Sequence, residues 1–501
     1  MTPWDVHLPA GTPPEAVEDL GRRSLAAAWT ERWAADPDHP TLFDDVGGWV
    51  SAAELEQRTR TVAGRMAAAG LHPGDRMLLS AGASTELVVA HGAALRLGLV
   101  VLPANTAYRE RELAHLVRDA APSLAVVDDA ERGRWVEAAA EAPIVITGPD
   151  VALPDGPDPA WLDGVGPDDP ALLAYTSGTT GAPKGALLTH ANLLSSVEAL
   201  GLAWRWTPED RLVLPLPLFH VHGLGAALHG ALTAGGSVVL RRSFDAVDTL
   251  DAVAAHRGSL VFGVPTMWSR LAATGRLGEL AALRLGVSGS APLDPGLHAA
   301  VAAETGHALL ERYGMTETVI LTSNPYDGDR RAGTVGRAIP GVGLRLAEAT
   351  GEIEVRGPNV FSGYWQRPDA NAASFRDGWF ATGDVGSFDG DGYLRIVGRT
   401  KELIISGGSN VYPREVEDVL RTHPAVHDAA VVGVPHPEWG EQVVAAVEGS
   451  GSSADVEVLL ALARSELAPY KRPKRIVFVE ALPRNALGKV VKADVAALLA
   501  D

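Results

Sequence analysis

A two-part α/β protein is the fold class this sequence predicts, on three observations. Apolar stretches of strand length alternate with helical periodicities through more than half of the chain. The pattern then changes to short alternating strands, followed by a second and smaller α/β run. The chain has 501 residues, too many for one ordinary core.

Residues 51–70 carry helical periodicity and 75–79 read as a short strand. Residues 84–98 are again helical, with Ser84 as the N-cap, and 99–103 form a buried strand. Residues 110–119 read as a helix and 123–127 as a strand. The same alternation returns in a strand at 259–263, a helix starting at Pro265, a favoured first position, and a strand at 283–288. Strands alternating with helices predict parallel sheets covered on both faces. Residues 153–169, rich in Pro, Gly and Asp, read as a surface connector. Residues 351–356 and 393–397 alternate like antiparallel strands and predict a small barrel-like part. After Gly398 and Arg399 come strands at 402–406, 429–434 and 475–479, with helices at 415–423 and 454–467. The expected division is therefore 1–399, a large domain of mixed and parallel sheets layered with helices, and 400–501, a small α+β lid. Such an arrangement suits a ligand bound between the two.

Hydrophobic residues make up 46% and charged residues 21%, the composition of a globular rather than a disordered chain. The formal net charge of -19 argues against nucleic acid and anionic membranes as partners. There is no cysteine, so disulfides, thiolate nucleophiles and zinc–thiolate sites are excluded. The first eleven residues hold Pro3, Asp5 and Pro9 without a basic-then-apolar pattern, which predicts no secretory leader. The apolar stretch 87–101 is interrupted by His91 and Arg96 and is too short to span a bilayer. A cytoplasmic protein is expected, acting on small molecules as a monomer or homodimer.

Residues 175–185 read Tyr-Thr-Ser-Gly-Thr-Thr-Gly-Ala-Pro-Lys-Gly, after an apolar strand at 171–175 and before a helix from about His190. Glycines and hydroxyls in one loop can wrap a polyphosphate with N–H and O–H donors, and Lys184 adds positive charge. The spacing is not that of a Walker A loop. On composition alone, a flexible surface loop remains the lesser alternative.

The segment resembles the phosphate loop of the adenylate-forming superfamily, which includes acyl-CoA synthetases, luciferases and peptide-synthetase adenylation domains. Further segments follow in the family's order. Ser-Gly-Ser-Ala-Pro at 288–292 resembles the adenine-side motif, and Glu-Arg-Tyr-Gly-Met-Thr-Glu at 311–317 the motif whose glutamate holds Mg²⁺. Thr-Gly-Asp at 382–384 resembles the ribose motif, and Gly398-Arg399 the one after it. Pro-Arg-Asn-Ala-Leu-Gly-Lys at 483–489 resembles the catalytic-lysine motif. The resemblance runs from about residue 41 to about residue 492.

It implies ATP, Mg²⁺ and coenzyme A, and two half-reactions. In the first, a carboxylate oxygen attacks the α-phosphorus of ATP and pyrophosphate leaves. Two anions must meet, so cations and oriented dipoles lower the barrier. The resemblance gives catalytic roles to Lys489, Glu317 and Thr316, with Glu317 and Thr179 or Thr180 at the metal. It places ATP against Thr176, Ser177, Gly178, Thr179, Thr180 and Lys184. The adenine-side contacts would be Ser290, Ala291, Pro292, Glu311, Arg312 and Gly314, with Tyr313 offering a flat face. Asp384 would hold the ribose hydroxyls with help from Arg399. In the second half-reaction the CoA sulfur attacks the acyl carbonyl and AMP leaves. The small domain is implied to be mobile, turning about Lys401 between the two steps. Ser406, Gly407 and Gly408 would line the pantetheine tunnel. Arg472, with Lys471 and Lys474, could meet CoA phosphates, although a solvated face is the better description of any one of them.

The acid pocket is read from two segments. Phe-His-Val-His-Gly at 219–223 puts His220 and His222 on one face if extended. The helix from Pro265 sets Thr266 and Arg270 four apart on one face. A buried guanidinium without a partner is costly, so Arg270 calls for a second carboxylate on the substrate. The stretches 262–267, 287–292, 310–318, 323–329 and 410–413 resemble malonyl-CoA and methylmalonyl-CoA synthetases. By that resemblance Arg270, Ser290, Met315 and either His220 or His222 surround the acid. One departure stands out. The family commonly has Met-Asn ahead of the Thr-Ser pair, where this chain has Val319, Ile320 and Leu321 before Thr322 and Ser323. Two other functions share the same nucleotide motifs: a synthetase for short or medium monocarboxylic acids, and a stand-alone carrier-protein ligase. A nucleotide sensor without catalysis should have lost Lys489 or Glu317, and both are present.

Overall fold

A computed structural model describes residues 4–176, 183–406, 409–437, 439–449, 451, 453–484 and 489–499. The fold is mixed α/β. The chain divides into two compact units, residues 1–344 with 355–380 and residues 345–354 with 381–501.

Two large sheets dominate the described residues of the first unit. In the seven-stranded sheet the order is Gly363–Tyr364, Lys184–Thr189, Pro170–Thr176, Val100–Pro103, Arg76–Ser80, Leu124–Val127, Val145–Thr147. Its central strands run parallel. The helices between them start and stop where local chemistry says they should. Ser51 and Glu54 form a capping box on Ala52–Ala68, and Ser84 caps Thr85–Leu97. Gly98 ends that second helix at φ 85°, a conformation glycine adopts without Cβ strain. The nine-stranded sheet runs Arg337–Ala338, Thr322–Ser323, Leu310–Tyr313, Leu285–Ser288, Leu260–Gly263, Arg211–Leu214, Ser237–Leu240, Pro40–Asp44, Gly48–Ser51. Its middle is parallel, and a core of Val213, Val261, Trp268, Leu271 and Leu309 packs against it.

One local expectation is met with an added element, and another fails. The helix expected from about His190 is there, but a strand stands between it and the loop. Lys184–Thr189 is a strand, antiparallel to Pro170–Thr176, and only then does the helix His190–Trp204 begin. Residues 219–223 are not extended: they turn, and His222–Leu228 forms a π-helix. Six of the residues His222–Leu228 are Gly, Ala or Leu, so nothing β-branched or polar pins an extended segment there.

A five-stranded sheet follows, with the hairpin partners Trp379–Phe388 and Leu394–Arg399 antiparallel. The last sheet orders Ser409–Val411, Ile404–Ser406, Gly440–Glu448 and Asp428–His436, with Arg475–Val479 alongside Gly440–Glu448. Alternate residues of its two long strands feed separate cores. Val431, Val443, Ala445 and Val447 pack with Val416, Leu420 and Leu459 on one face. Ala430, Val432, Val444 and Ala446 pack with Val495 and Leu499 on the other. That is the period-two pattern of a sheet covered on both sides.

Candidate active site

The first unit brings three of the expected nucleotide-side groups to one place. The register of the Pro170–Thr176 and Lys184–Thr189 hairpin sets Thr176 opposite Lys184, so the two flank residues 177–182 in the chain. Ser177, Gly178, Thr179 and Thr180 lie outside the described residues. On the outer side of Lys184–Thr189 runs Gly363–Tyr364, with Tyr364 opposite Ala186. From there the Tyr364 hydroxyl donates to Glu317 Oε1 at 2.8 Å, and Lys184 Nζ stands 5.2 Å from the centre of the Tyr364 ring. One tyrosine thus ties the loop-flanking lysine to the glutamate expected at the metal. Burial, and then the Glu317 carboxylate, push the Tyr364 phenol well above its ordinary range, so it stays a donor.

Glu317 is 5% exposed. The chain beyond it is clamped: Asn359 Nδ2 donates to the carbonyls of Thr318 and Ile320 at 2.9 and 2.8 Å. Neither Tyr364 nor Asn359 is singled out by the sequence motifs, because both act on a segment some forty residues earlier. Among the described residues no group of three or more His, Cys, Asp or Glu could hold a metal ion by itself. A single buried carboxylate fits Mg²⁺, which keeps several waters and takes its other ligands from phosphate oxygens.

The neighbouring motif turns sharply. Gly314 is needed there, since a Cβ would come 2.1 Å from the Val319 carbonyl oxygen. Val319 itself sits at φ 59°, a left-handed conformation that strains a β-branched residue by about 1–3 kcal/mol. Met315 and Thr316 are half-buried in this turn, and Met315 accepts from the Thr318 N–H at 3.1 Å. Tyr313 is half-buried at the end of its strand, opposite Thr322. Glu311 is buried and its Oε1 accepts from the Leu293 N–H at 3.2 Å, which pins the segment of Ser290, Ala291 and Pro292. Those three residues are exposed, and Ser290 takes φ 70°.

On the acid side, Ser290 Oγ lies 3.2 Å from His222 Nδ1. Burial, then the positive charges of Arg312 and His220, hold His222 well below the ordinary histidine range, so the ring is neutral. His220 is half-buried, with its ring 4.6 Å from Phe219. Arg312 is 4% exposed, and its Nε and Nη2 have no hydrogen-bond partner among the described residues. Arg270 departs from expectation. It lies on the helix Pro265–Ala273 with Thr266, as the spacing predicts, but both are exposed. An exposed guanidinium keeps its hydration, so the cost of burial is no argument for an anion at Arg270.

The second unit holds the remaining groups. Asp384 is 4% exposed and pairs across the hairpin with Arg399, whose Nε stands 2.9 Å from its Oδ1. Lys401 is exposed beside the short helix Thr400–Glu402 that it belongs to, and Ser406 is buried. Gly407 and Gly408 lie outside the described residues. Arg472 donates to the carbonyls of Leu467 and Arg464, closing the end of the helix Ser453–Glu466. Lys471 pairs with Glu415 at 2.6 Å and Lys474 stands over the Trp439 ring. All three basic residues thus have local structural partners. Lys489 is exposed.

A model of the AMP-binding enzyme family matches residues 29–365, and a model of the AMP-binding enzyme C-terminal domain matches 415–489. The chain is 38% identical to a feruloyl-CoA synthase of Amycolatopsis sp, over 95% of this chain and 99% of that one. It is 37% identical to a malonate–CoA ligase of Arabidopsis thaliana, over 79% of this chain and 73% of that one. Among solved structures it matches ATP-bound MatB from Rhodopseudomonas palustris with a TM-score of 0.88 and 41% identity, covering 95% of this chain and 99% of that one.

Proposed function

The chain belongs to the AMP-binding enzyme family, and from that premise we propose that it is an acid–CoA ligase whose acid is malonate or a C2-substituted malonate such as methylmalonate. The adenylate-forming chemistry rests on one observation above all: the Tyr364 hydroxyl on the Glu317 carboxylate, with Lys184 against the same ring. Lys184 draws the polyphosphate toward the loop it flanks. Glu317 presents a buried carboxylate, fixed in direction by Tyr364, to the metal that accompanies ATP. Magnesium bound with the nucleotide supplies positive charge at the phosphate oxygens. Asp384 holds the ribose through its acceptor oxygens, and Lys489 offsets the charge shared by the acid carboxylate and the α-phosphate. The acyl-adenylate then yields to coenzyme A, which brings the thiol that this cysteine-free chain lacks. Lys401 is the residue about which the small domain turns between the two half-reactions.

The acid is the finer part of the reading. The malonate–CoA ligase relative supports a diacid. The feruloyl-CoA synthase relative is a longer match with a bulky aromatic acid, so family membership does not select between them. What favours a diacid is the polar cluster of the buried His222 and Arg312 beside Ser290, which a ferulate side chain would leave unpaired. Turnover of malonate, methylmalonate, acetate, octanoate and ferulate with free CoA tests the choice. We expect malonate or methylmalonate to lead. Octanoate or ferulate ahead of malonate would end the diacid assignment, and thioester formed only on a carrier protein would end the CoA assignment. No described helix is long and apolar enough to cross a membrane. We place the enzyme in the cytoplasm as a monomer or homodimer, with no nucleic-acid or membrane partner.

A further inference from the structure

We propose that His115 and Asp119, on the helix Glu110–Ala120, are positioning residues for ATP: they hold both stems of the hairpin that carries Thr176 and Lys184. Neither belongs to the motifs above, and they precede their partners by 68 and 56 residues. On the entry stem, the Tyr175 hydroxyl donates to Asp119 Oδ2 at 2.7 Å. On the exit stem, His115 Nε2 lies 2.9 Å from the Pro183 carbonyl oxygen. A carbonyl only accepts, so that nitrogen carries the proton. The His115 ring also meets the Tyr175 ring edge-on, with centres 6.1 Å apart. Asp119 reaches a third segment. Its Oδ1 accepts from Arg367 and its carbonyl from Trp365 Nε1 at 3.2 Å, while the Trp365 N–H donates to the Gly185 carbonyl at 2.8 Å. The residue before Trp365 is Tyr364, the donor to Glu317. One helix end is thus fastened to both stems and to the segment that fixes Glu317.

The helix does not need these two side chains for itself. Its apolar residues Leu113, Ala114, Leu116 and Val117 pack into a core with Leu78 and Ala125. His115 and Asp119, four apart, are neighbours on the helix surface. A carboxylate in the last helical turn opposes the helix dipole, so Asp119 weakens the helix that carries it. The Asp119 side chain is 11% exposed, and Tyr175 and Arg367 offset its charge from outside the helix. Burial, then the hydrogen bond and charge of Asp119, push the Tyr175 phenol well above its ordinary range, so it stays a donor. The hairpin does need support. Leu172 lies opposite Val101 of the neighbouring parallel strand, and that strand ends at Pro103, so Thr176 stands beyond the end of its neighbour. Strand pairing on that side stops short of the residues that flank the phosphate loop. His115 and Asp119 supply the hold that the sheet does not.

This inference rests on the reading above that Thr176 and Lys184 flank the polyphosphate of ATP. AMP lacks the β- and γ-phosphates, so it reports on the nucleotide site without that group. The test uses the full chain and measures the dissociation constants of MgATP and AMP by calorimetry, with the melting temperature, in wild type, His115→Leu, His115→Gln and Asp119→Ala. Pyrophosphate release with malonate is followed alongside. We expect His115→Leu to weaken MgATP about tenfold, the scale of one lost hydrogen bond, and to leave AMP unchanged. His115→Gln keeps an N–H donor and should recover most of the loss. Asp119→Ala releases Tyr175 and Arg367 together and should weaken MgATP at least as much. If Asp119→Ala does not fold, as its melting temperature will show, the two His115 variants decide. Equal weakening of MgATP and AMP, or a lower melting temperature with neither changed, overturns the proposal and makes the two residues part of the packing. Wild type that binds MgATP but releases no pyrophosphate with any acid removes the ligase reading, while a selective loss of MgATP in the variants still supports His115 and Asp119. Wild type that binds neither nucleotide overturns both.

Discussion

The ion pairs of the second unit and the acid-side cluster of the first make opposite use of charge. Among the former, charges are matched. Asp384 meets Arg399, Asp428 meets both Arg421 and Arg484, and Lys492 reaches the buried Glu417, which also accepts from the Val431 N–H. In the first unit, the acid-side cluster holds polar atoms unmatched among the described residues: the donors Arg312 Nε and Nη2, and His222 Nε2. Matched charges hold a shape and contribute little more once formed. Unmatched buried donors carry a standing penalty that a complementary ligand removes. The difference separates the charges that build the protein from those that wait for something else.

Three experiments would sharpen or break that contrast. The largest effect is expected at Lys489. Replacement by Ala should slow pyrophosphate release by about 100- to 1000-fold, the scale for removing one group that stabilises transition-state charge. Thioester formation from supplied acyl-adenylate should persist. If both half-reactions fall together, Lys489 belongs with the matched, structural charges instead.

The next concerns acid. His91 and His229 are fully buried in the first unit, with rings stacked 5.1 Å apart and Nε2 atoms 2.9 Å from each other, and His190 is buried as well. Burial lowers His91 to about 3 and His190 to about 4, and holds His229 well below its ordinary value. All three are neutral in the fold but take up protons near pH 6.5 once unfolded. Stability is therefore intact above that pH and falls as the pH drops from about 6.5 toward 4, by up to about 1.4 kcal/mol per unit for each histidine. Thermal unfolding followed from pH 7.5 to 5 should show this slope, and His190→Asn should flatten it. An unchanged slope in the variant would mean that His190 does not stay neutral.

The smallest is Tyr364→Phe. Loss of one hydrogen bond to Glu317 should lower adenylation about tenfold and raise the magnesium concentration needed for half-maximal rate. A drop in rate with no change in magnesium dependence would argue that Tyr364 serves Lys184 or the packing rather than Glu317.

What the sequence reveals follows the range of the forces involved. The helix at Ala52–Ala68 and that at Thr85–Leu97 are legible because Ser51, Glu54, Ser84 and Gly98 act within one turn. The strands of the small sheet are legible as nearly unbroken runs of Val and Ala, since both faces of the sheet are covered. Lys184–Thr189 is hidden, since its hairpin partner lies across a Gly-rich loop and its other neighbour, Gly363–Tyr364, comes far later in the chain. The same distance hides Tyr364 from a reading of Glu317. Arg270 and Arg312 are both visible as arginines in the right segments, but helical spacing and strand register say nothing of which one is buried. That depends on Gly289, a residue whose contribution is the atom it does not have.

Val319 brings a different consequence. A branched residue holding a left-handed backbone beside the acid-side turn is poorly suited to its own position, whereas Asn or Gly would sit there at ease. Most changes near a catalytic centre must be tolerated by the rest of the molecule. Here replacement by Gly or Asn relaxes the backbone, so this turn can change where most positions could not.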